Sequence, residues 1–228
     1  MARSQLLKDI VIGKEDIENV LLRLKIILSD LENTPINTWV KGELEGYTGI
    51  ENLPPYRISK GKPTGTFIVN YSFQYTNDYV PLEHLISREQ IDDLRTVHIT
   101  DSIGTLSKLI TGDGKSNYGK AIPTSYCYAI STEELQVANM KIEIPSNKIN
   151  GIISIVRSKL VDVVMELEKE FENLDDLDIS SQVKESPEKA DKIVYNIEKI
   201  IFEETIKIGD KNKIKSSRFG HFFGGNKS

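Results

Sequence analysis

The chain has 228 residues, of which 39% are hydrophobic, and its formal net charge is −5. This length holds either one large domain or a domain with an appendage, and the composition is ordinary for a soluble globular protein. The acidic balance argues against a protein that binds nucleic acid unaided, because contacts with phosphate draw on clustered lysine and arginine.

Cysteine and histidine are too sparse to predict a metal site or another cofactor. Cys127 stands alone, which leaves no intrachain disulfide and fits a reducing cytoplasm. His84, His98 and His221 are far apart, without the spacing of two metal ligands on one helix. No stretch approaches the ~20 apolar residues of a membrane span. We expect a cytoplasmic protein with no cofactor, no membrane contact and no nucleic-acid partner.

The first 31 residues predict a helical hairpin. Ser4 is a candidate N-cap for a helix over residues 5–12, and Gly13 ends it. A longer helix follows over residues 17–31, because its apolar residues recur at steps of three and four.

A third helix carries the only tryptophan. Thr34 suits its N-cap and Pro35 its first turn, and Gly46 or Gly49 ends it. Core packing is the simpler role for Trp39, and stacking on a ligand is the alternative.

The middle of the chain favours strands. Apolar and polar residues alternate over 66–75, which predicts one strand with an aromatic face, and residues 56–59 are expected to pair with it as a hairpin. Residues 140–144 alternate in the same way. Residues 121–130 are ambiguous, although their tyrosines favour a strand.

Two helix starts and one glycine-rich loop lie between these strands. Ser87 and Gln90 have the spacing of a capping box, and Asp101 or Ser102 opens a second short helix. The loop 112–116, Gly-Asp-Gly-Lys-Ser, resembles the end of a phosphate-binding loop. It lacks the required first glycine and follows a predicted helix, so a surface turn is the better interpretation.

Ser146 is the candidate N-cap of a second long helix. Its apolar residues recur at alternating steps of four and three over 149–171, which is typical of a seam facing one partner helix. The helix over 17–31 is the favoured partner, and a helix of a second copy is the alternative.

The last part of the chain changes character twice. Residues 173–186 are acidic and polar, which predicts a linker. Ser186 and Pro187 begin another helix. Residues 205–208 and 213–215 then resemble two short strands around a turn.

Two blocks of sequence resemble the AbiTii family of bacterial abortive-infection proteins. The first block contains Trp39-Val40, Glu43-Leu44, Gly46-Tyr47, Leu53-Pro54 and Tyr56-Arg57. The second contains Gly151-Ile152-Ile153, Val156-Arg157, Leu160, Asp162 and Met165-Glu166-Leu167-Glu168. The resemblance implies a role in phage defence, and it brings no catalytic residues to carry over.

The candidate binding residues come from these blocks and from the C-terminus. Trp39, Tyr56 and Arg57 belong to the first block, where Arg57 could pair with a carboxylate or a phosphate or stabilise a hairpin. In the second block, Arg157, Asp162 and Glu166 are predicted on the solvated side of the long helix. They are either surface charge or a partner-recognition patch.

The C-terminal tail adds three aromatic candidates, Phe219, Phe222 and Phe223. Aromatic side chains without a helical or strand period need a surface to cover them. We therefore expect residues 205–223 to contact a second copy or a partner protein, unless they fold back on their own domain.

These observations predict an α+β fold: a mainly helical bundle built on two long helices with a small antiparallel sheet inserted, plus a C-terminal helix and short hairpin. We expect an AbiTii-like domain over 1–172, a linker over 173–186 and a C-terminal element over 187–228. Two functions stay open, a protein-binding sensor or regulatory module and a nuclease-like toxin that damages the host. The first is favoured, because no cluster of Asp, Glu, His and Lys stands at short spacing.

Overall fold

The computed structural model describes residues 3–51, 53–111 and 117–202. These residues form an α+β fold, as the sequence predicts. The helices are α1 (Gln5–Ile12), α2 (Ile17–Ser29), α3 (Thr34–Glu45), α4 (Arg88–Arg95), α5 (Ile103–Thr111), α6 (Thr124–Ile130), α7 (Ser146–Glu170), α8 (Ser180–Glu185) and α9 (Pro187–Phe202). The strands are β1 (Ile58–Lys60), β2 (Lys62–Val69), β3 (Phe73–Tyr79), β4 (Thr96–His98), β5 (Tyr118–Ile122) and β6 (Leu135–Ile144). The loop 112–116, the predicted strands after residue 204 and the three tail phenylalanines lie outside the described residues.

Several helix ends follow the predicted capping. The Ser4 hydroxyl accepts a hydrogen bond from the amide of Leu7, and the capping box of Ser87 and Gln90 is complete. The predicted cap of α7 is wrong by one residue, since Ser146 is the first residue of that helix and follows Pro145. The predicted cap of α3 is also wrong by one residue. The Asn33 side chain, not Thr34, accepts from the amide of Ile36 at 2.9 Å, since asparagine is the stronger N-cap of the two.

A tight turn divides the strand predicted over 66–75. Asn70 and Tyr71 both have positive φ, 50° and 57°, as primed hairpin turns require. The chain therefore folds into the hairpin of β2 and β3, and Phe67 stacks on Tyr75 with ring centroids 5.0 Å apart. Phe67 pairs with Tyr75 and Val69 pairs with Phe73, so odd-numbered residues occupy the same face of the sheet in both strands. The alternation of apolar and polar residues in the sequence therefore continues across the turn and does not reveal it.

The pairing predicted for residues 56–59 is wrong. β1 pairs with β4 in a two-stranded antiparallel sheet, and β2 pairs instead with β3 and β6. The larger sheet is antiparallel in the order β3-β2-β6-β5. Its strand β6 contains the predicted strand 140–144 and extends it to Leu135.

The segment 121–130 is not the single strand that its tyrosines favoured. β5 ends at Ile122, Pro123 follows, and residues after it form α6, which lies against β6. Proline fits immediately before or within the first turn of a helix, where no amide is needed. The last turn of α6 is tied to the strand by Ser131, whose hydroxyl accepts from the amide of Val137 at 2.8 Å.

α7 is the central helix, and its predicted partner is wrong. It packs mainly against α9, α1 and α5, whereas α2 packs mainly against α3. A seven-residue seam suits one partner, but α7 also buries residues outside that seam because helices surround it on several sides. The additional buried residues are Ile152, Lys159, Val164 and Glu166.

Residues 173–186 contact the helical bundle. Ile179 is buried, and its amide donates to the Asp30 carboxylate at 3.0 Å. The Asp175 carboxylate accepts from the amide of Gln5 at 2.9 Å, at the start of α1. α9 then runs back along α7 and also contacts α3.

Candidate functional site

The residues of the first sequence block converge in the core around one carboxylate. Trp39 and Glu43 are four residues apart on α3 and therefore share a helix face. Gly46, at φ 90°, ends α3 and turns the chain back, and the amide of Tyr47 donates to the main-chain oxygen of Thr100 at 2.8 Å. The Tyr47 ring then lies on Gly42, where an added Cβ would stand 2.3 Å from it.

Arg57 supplies the positive charge of this cluster. It ends the short turn Pro55–Arg57, and both Arg57 and Glu43 are fully buried. The guanidinium Nη2 donates to the Glu43 carboxylate, and Nη1 donates to the main-chain oxygen of Asp101 at 2.5 Å. The guanidinium carbon also lies 5.3 Å from the centroid of the Tyr47 ring. Arg57 thus joins α3 to the segment between β4 and α5.

Two tyrosines also donate to the carboxylate, and the tryptophan donates to one of these tyrosines. The hydroxyls of Tyr47 and Tyr56 each donate to Glu43 Oε1 at 2.8 Å, and the indole of Trp39 donates to the Tyr56 oxygen at 2.8 Å. Burial, together with the charge of Glu43, raises the pKa of both tyrosines above the ordinary range. Both phenols therefore keep their protons, which is the state that donates to the carboxylate. We call these five residues, Trp39, Glu43, Tyr47, Tyr56 and Arg57, the Glu43 cluster.

The Glu43 cluster extends toward α9 through Lys159. The Lys159 ammonium lies 5.9 Å from the centroid of the Tyr56 ring, and it donates to the main-chain oxygen of Ile200 at 2.5 Å. Burial lowers the pKa of Lys159. On the other side, the Tyr118 hydroxyl donates to the Asp101 carboxylate at 2.5 Å. These contacts connect α3, α7, β5, the segment between β4 and α5, and the end of α9 through polar side chains.

This arrangement makes the Glu43 cluster a clamp inside the protein. The predicted burial of Trp39 is confirmed, with 2% of its surface exposed. Its one polar hydrogen is taken by Tyr56, as a buried indole requires. Sequence reasoning missed Glu43 and Tyr47 as partners of Arg57. The four-residue step from Trp39 to Glu43, on the buried face of a helix, was the available signal, because a buried carboxylate needs a cation.

The second sequence block presents one cation at the surface. Arg157 is exposed, and its guanidinium makes no hydrogen bond or ion pair with the described parts of the chain. It borders a cavity of about 250 Å³ between α5 and α7, which we call the arginine groove. The groove is lined by Ser107, Ile110, Thr111, Asn150, Ile153, Ser154 and Arg157.

The other two candidates on α7 lie apart from the groove. Asp162 is exposed, as predicted. Glu166 was predicted on the solvated side, and this is wrong: it is 8% exposed beneath α9, where Asn196 donates to it at 2.6 Å and Lys169 also pairs with it. Burial opposes the charged form, but these two donors outweigh it and hold the pKa of Glu166 below its ordinary value.

The described residues offer neither a metal-binding cluster nor a membrane-spanning helix. No group of three or more His, Cys, Asp and Glu side chains there is arranged to hold a metal ion. Among the helices of the described ranges, none is both long and apolar enough to cross a membrane.

The fold and its internal clamp define an α+β protein whose first sequence block builds the core and whose second block faces α9 and the solvent. The AbiTii family model matches residues 4–192, and the chain belongs to this family of bacterial abortive-infection proteins. Comparison with curated proteins and with solved structures gave no match.

Proposed function

We propose that this protein serves anti-phage abortive infection as a protein-binding sensor or regulatory module that uses the arginine groove. Family membership supports the defence role. The observation that carries the binding role is Arg157, an exposed arginine without an acidic partner among the described residues. Arginine presents five donors in a planar fork, a geometry that suits the carboxylate of a partner side chain.

The lining of the arginine groove supports an acidic ligand group. The described lining contains no carboxylate, and Ser107, Asn150 and Ser154 add hydroxyl and amide groups beside Arg157. Ile110 and Ile153 supply apolar surface at the same place. An acidic side chain on an otherwise apolar partner segment meets both parts of this lining.

Co-purification from phage-infected cells tests the binding role. Tagged protein and its Arg157→Glu variant are recovered from infected cells, and partners are quantified by mass spectrometry. We expect at least one partner enriched by the parent protein and lost in the variant, since like charges now face each other. If the parent protein and the variant recover every partner equally, the arginine groove does not take part in partner binding.

The toxin alternative predicts a different result. An enzymatic effector would damage cells when expressed alone, and its effect would not depend on Arg157 contacting a partner. Growth on expression without phage therefore separates the two functions: a sensor or regulator leaves growth unchanged, and a toxin slows it.

The C-terminal tail supports a second contact. Three of the seven phenylalanines, Phe219, Phe222 and Phe223, stand in the last ten residues. We propose that residues 205–223 mediate self-association or contact with a partner of the defence system. Deletion after Glu204 is expected to lower the number of chains per particle, measured by light scattering, or to abolish partner recovery. An unchanged number of chains per particle together with unchanged phage protection would contradict this role.

A further inference from the structure

The outer face of the larger sheet carries a groove between two exposed tyrosines. Ile68 of β2 lies opposite Gln136 of β6, while their neighbours Phe67 and Val137 are buried on the inner face. Tyr71 in the β2–β3 turn and Tyr128 on α6 stand at its edges, 68% and 66% exposed. We call this cavity of about 670 Å³ the tyrosine groove. The groove is lined by Ile68, Tyr71, Tyr128, Ser131, Thr132, Glu133, Gln136, Val137 and Ala138.

Tyr71 occupies its position at an energetic cost. Its φ of 57° lies in the left-handed region, which disfavours a residue with a bulky side chain by about 1–2 kcal/mol. A glycine or asparagine would form the same turn without that strain. The ring is nevertheless exposed, and its hydroxyl bonds to none of the described residues. Strain retained at an exposed aromatic indicates a position that serves binding more than stability.

The charge of the tyrosine groove matches one segment of this chain. Glu133 lies in the lining and Glu134 follows it, and the described lining contains no lysine or arginine. The C-terminal residues after Asp210 contain no acidic side chain. They contain five cations, Lys211, Lys213, Lys215, Arg218 and Lys227, around the three phenylalanines.

We propose that residues 218–223 of the C-terminal tail dock in the tyrosine groove. The phenylalanine rings cover Ile68 and the faces of Tyr71 and Tyr128, where aromatic pairs gain stacking contacts beyond burial. Arg218 and the lysines before it face Glu133 and Glu134. α9 ends at Phe202, and the intervening residues 203–217 span up to about 50 Å when extended at ~3.3 Å each. This docking does not depend on the role in phage defence.

Photocrosslinking in the full-length protein tests the docking. Phe222 is replaced by the photoreactive residue p-benzoylphenylalanine, the purified protein is irradiated, and crosslinked peptides are mapped by mass spectrometry. We expect the main crosslinks on residues 68–71 and 128–138. Mixing isotopically light and heavy protein before irradiation shows whether the tail enters the groove of its own chain or of a second copy. Crosslinks between copies support the self-association proposed above, whereas crosslinks within one chain contradict it and still place the tail in the groove.

Two sets of variants make the test specific. Tyr71→Gly with Tyr128→Ser removes both rings, and glycine relieves the strain of the turn, so the hairpin is retained. Crosslinking at the groove is expected to fall several-fold. Phe73→Ser is the control, because Phe73 is 63% exposed in the same hairpin but on the opposite face, and it should leave the yield unchanged.

Three outcomes would overturn the proposal. Crosslinks mainly on Phe73 and Tyr75, or on the exposed Leu22 and Ile26 of α2, would place the tail elsewhere. A yield that the double variant leaves unchanged would show that the tyrosines do not hold the tail. Absence of any crosslink from position 222 to the folded part of the chain would show that the tail does not dock.

Discussion

The Glu43 cluster predicts a large effect from a change of a single atom. Glu43→Gln keeps the size of the side chain and removes its charge, so Arg57 stays buried without a counterion. Arg57 keeps its bond to the main-chain oxygen of Asp101, but a carbonyl dipole does not neutralise a charge. The two tyrosine hydroxyls also lose their ionised acceptor.

The expected cost follows from burial. Removing one partner of a buried ion pair costs about 3–5 kcal/mol, because the remaining charge is desolvated and uncompensated. With a urea dependence of about 2–3 kcal/mol per molar, the unfolding midpoint should fall by about 1–2 M. Glu45→Gln is the matched control, two residues further along α3. Glu45 is half-exposed and pairs with Lys25 at 3.3 Å, so its loss should cost about 1 kcal/mol or less.

A double-mutant cycle distinguishes the ion pair from simple packing. Arg57→Met and Glu43→Gln are measured separately and together by urea unfolding. Each single change leaves the partner residue buried without its counterpart. The free energy of unfolding lost by the double variant should therefore be about 1–3 kcal/mol smaller than the sum of the losses of the two single variants. If Glu43→Gln lowers the free energy of unfolding no more than Glu45→Gln does, or if the two changes add, the Glu43 cluster is not a clamp held by charge.

Three further predictions concern the same core and α7. Trp39→Ala should cost about 3–5 kcal/mol in urea unfolding, because a large buried side chain leaves a cavity; a loss below about 1 kcal/mol would contradict its burial. The pKa of Glu166 is lower in the folded state, so the unfolded chain binds a proton at this residue more readily. Glu166 therefore contributes to the free energy of unfolding above about pH 4.3, and this contribution is lost as the pH falls through the pKa of the folded state. Glu166→Gln should therefore flatten the acid decline of the urea midpoint, and an unchanged pH profile would refute this. The pKa values of Tyr47, Tyr56 and Tyr118 are raised in the folded state, so above about pH 10 the unfolded chain loses these protons first and the free energy of unfolding should fall. The phenolate absorbance of these three tyrosines should then appear only with unfolding. Phenolate absorbance from all tyrosines before unfolding would contradict this.

Local signals predicted much of the helical structure. Ser4, Gly13 and the Ser87 capping box act through bonds within four residues, so their positions can be read directly from the sequence. The length of α7 was also predictable, because its apolar period persists over the whole helix. The helix that packs against α7 could not be predicted, because the same apolar stripe suits any neighbouring helix. The structure places α7 against α9, which begins 17 residues after α7 ends.

The strand errors have a different cause. The alternation of apolar and polar residues indicates only which face of a strand each residue occupies. The turn at Asn70 and Tyr71 keeps odd-numbered residues on the same face of both strands, so the alternation does not reveal the turn. The pairing of β1 with β4 joins residues about 40 apart in sequence, and no pattern within either short strand specifies it. Long-range pairing depends on the whole core, including the bond from Arg57 to Asp101.

For the candidate site too, some residues could be predicted from the sequence, but the long-range contacts that they make could not. The resemblance named Trp39, Tyr56 and Arg57 together, but their common partner Glu43 emerges only when α3 meets the turn at Pro55–Arg57. Glu166 was misplaced because α9, which covers it, arrives from outside the block that contains it. Arg157 has no such cover within the described residues, so its surface position could be predicted from helical period alone.

Phage plating on cells that carry the defence system tests the binding role most directly. Parent protein, Arg157→Glu and Lys189→Glu are expressed at equal, verified levels; Lys189 is an exposed lysine on α9 that makes the same change of charge away from the arginine groove. The proposed function predicts that the parent and Lys189→Glu restrict phage growth equally, and that Arg157→Glu loses protection while its urea midpoint is unchanged. Full protection by Arg157→Glu would contradict it.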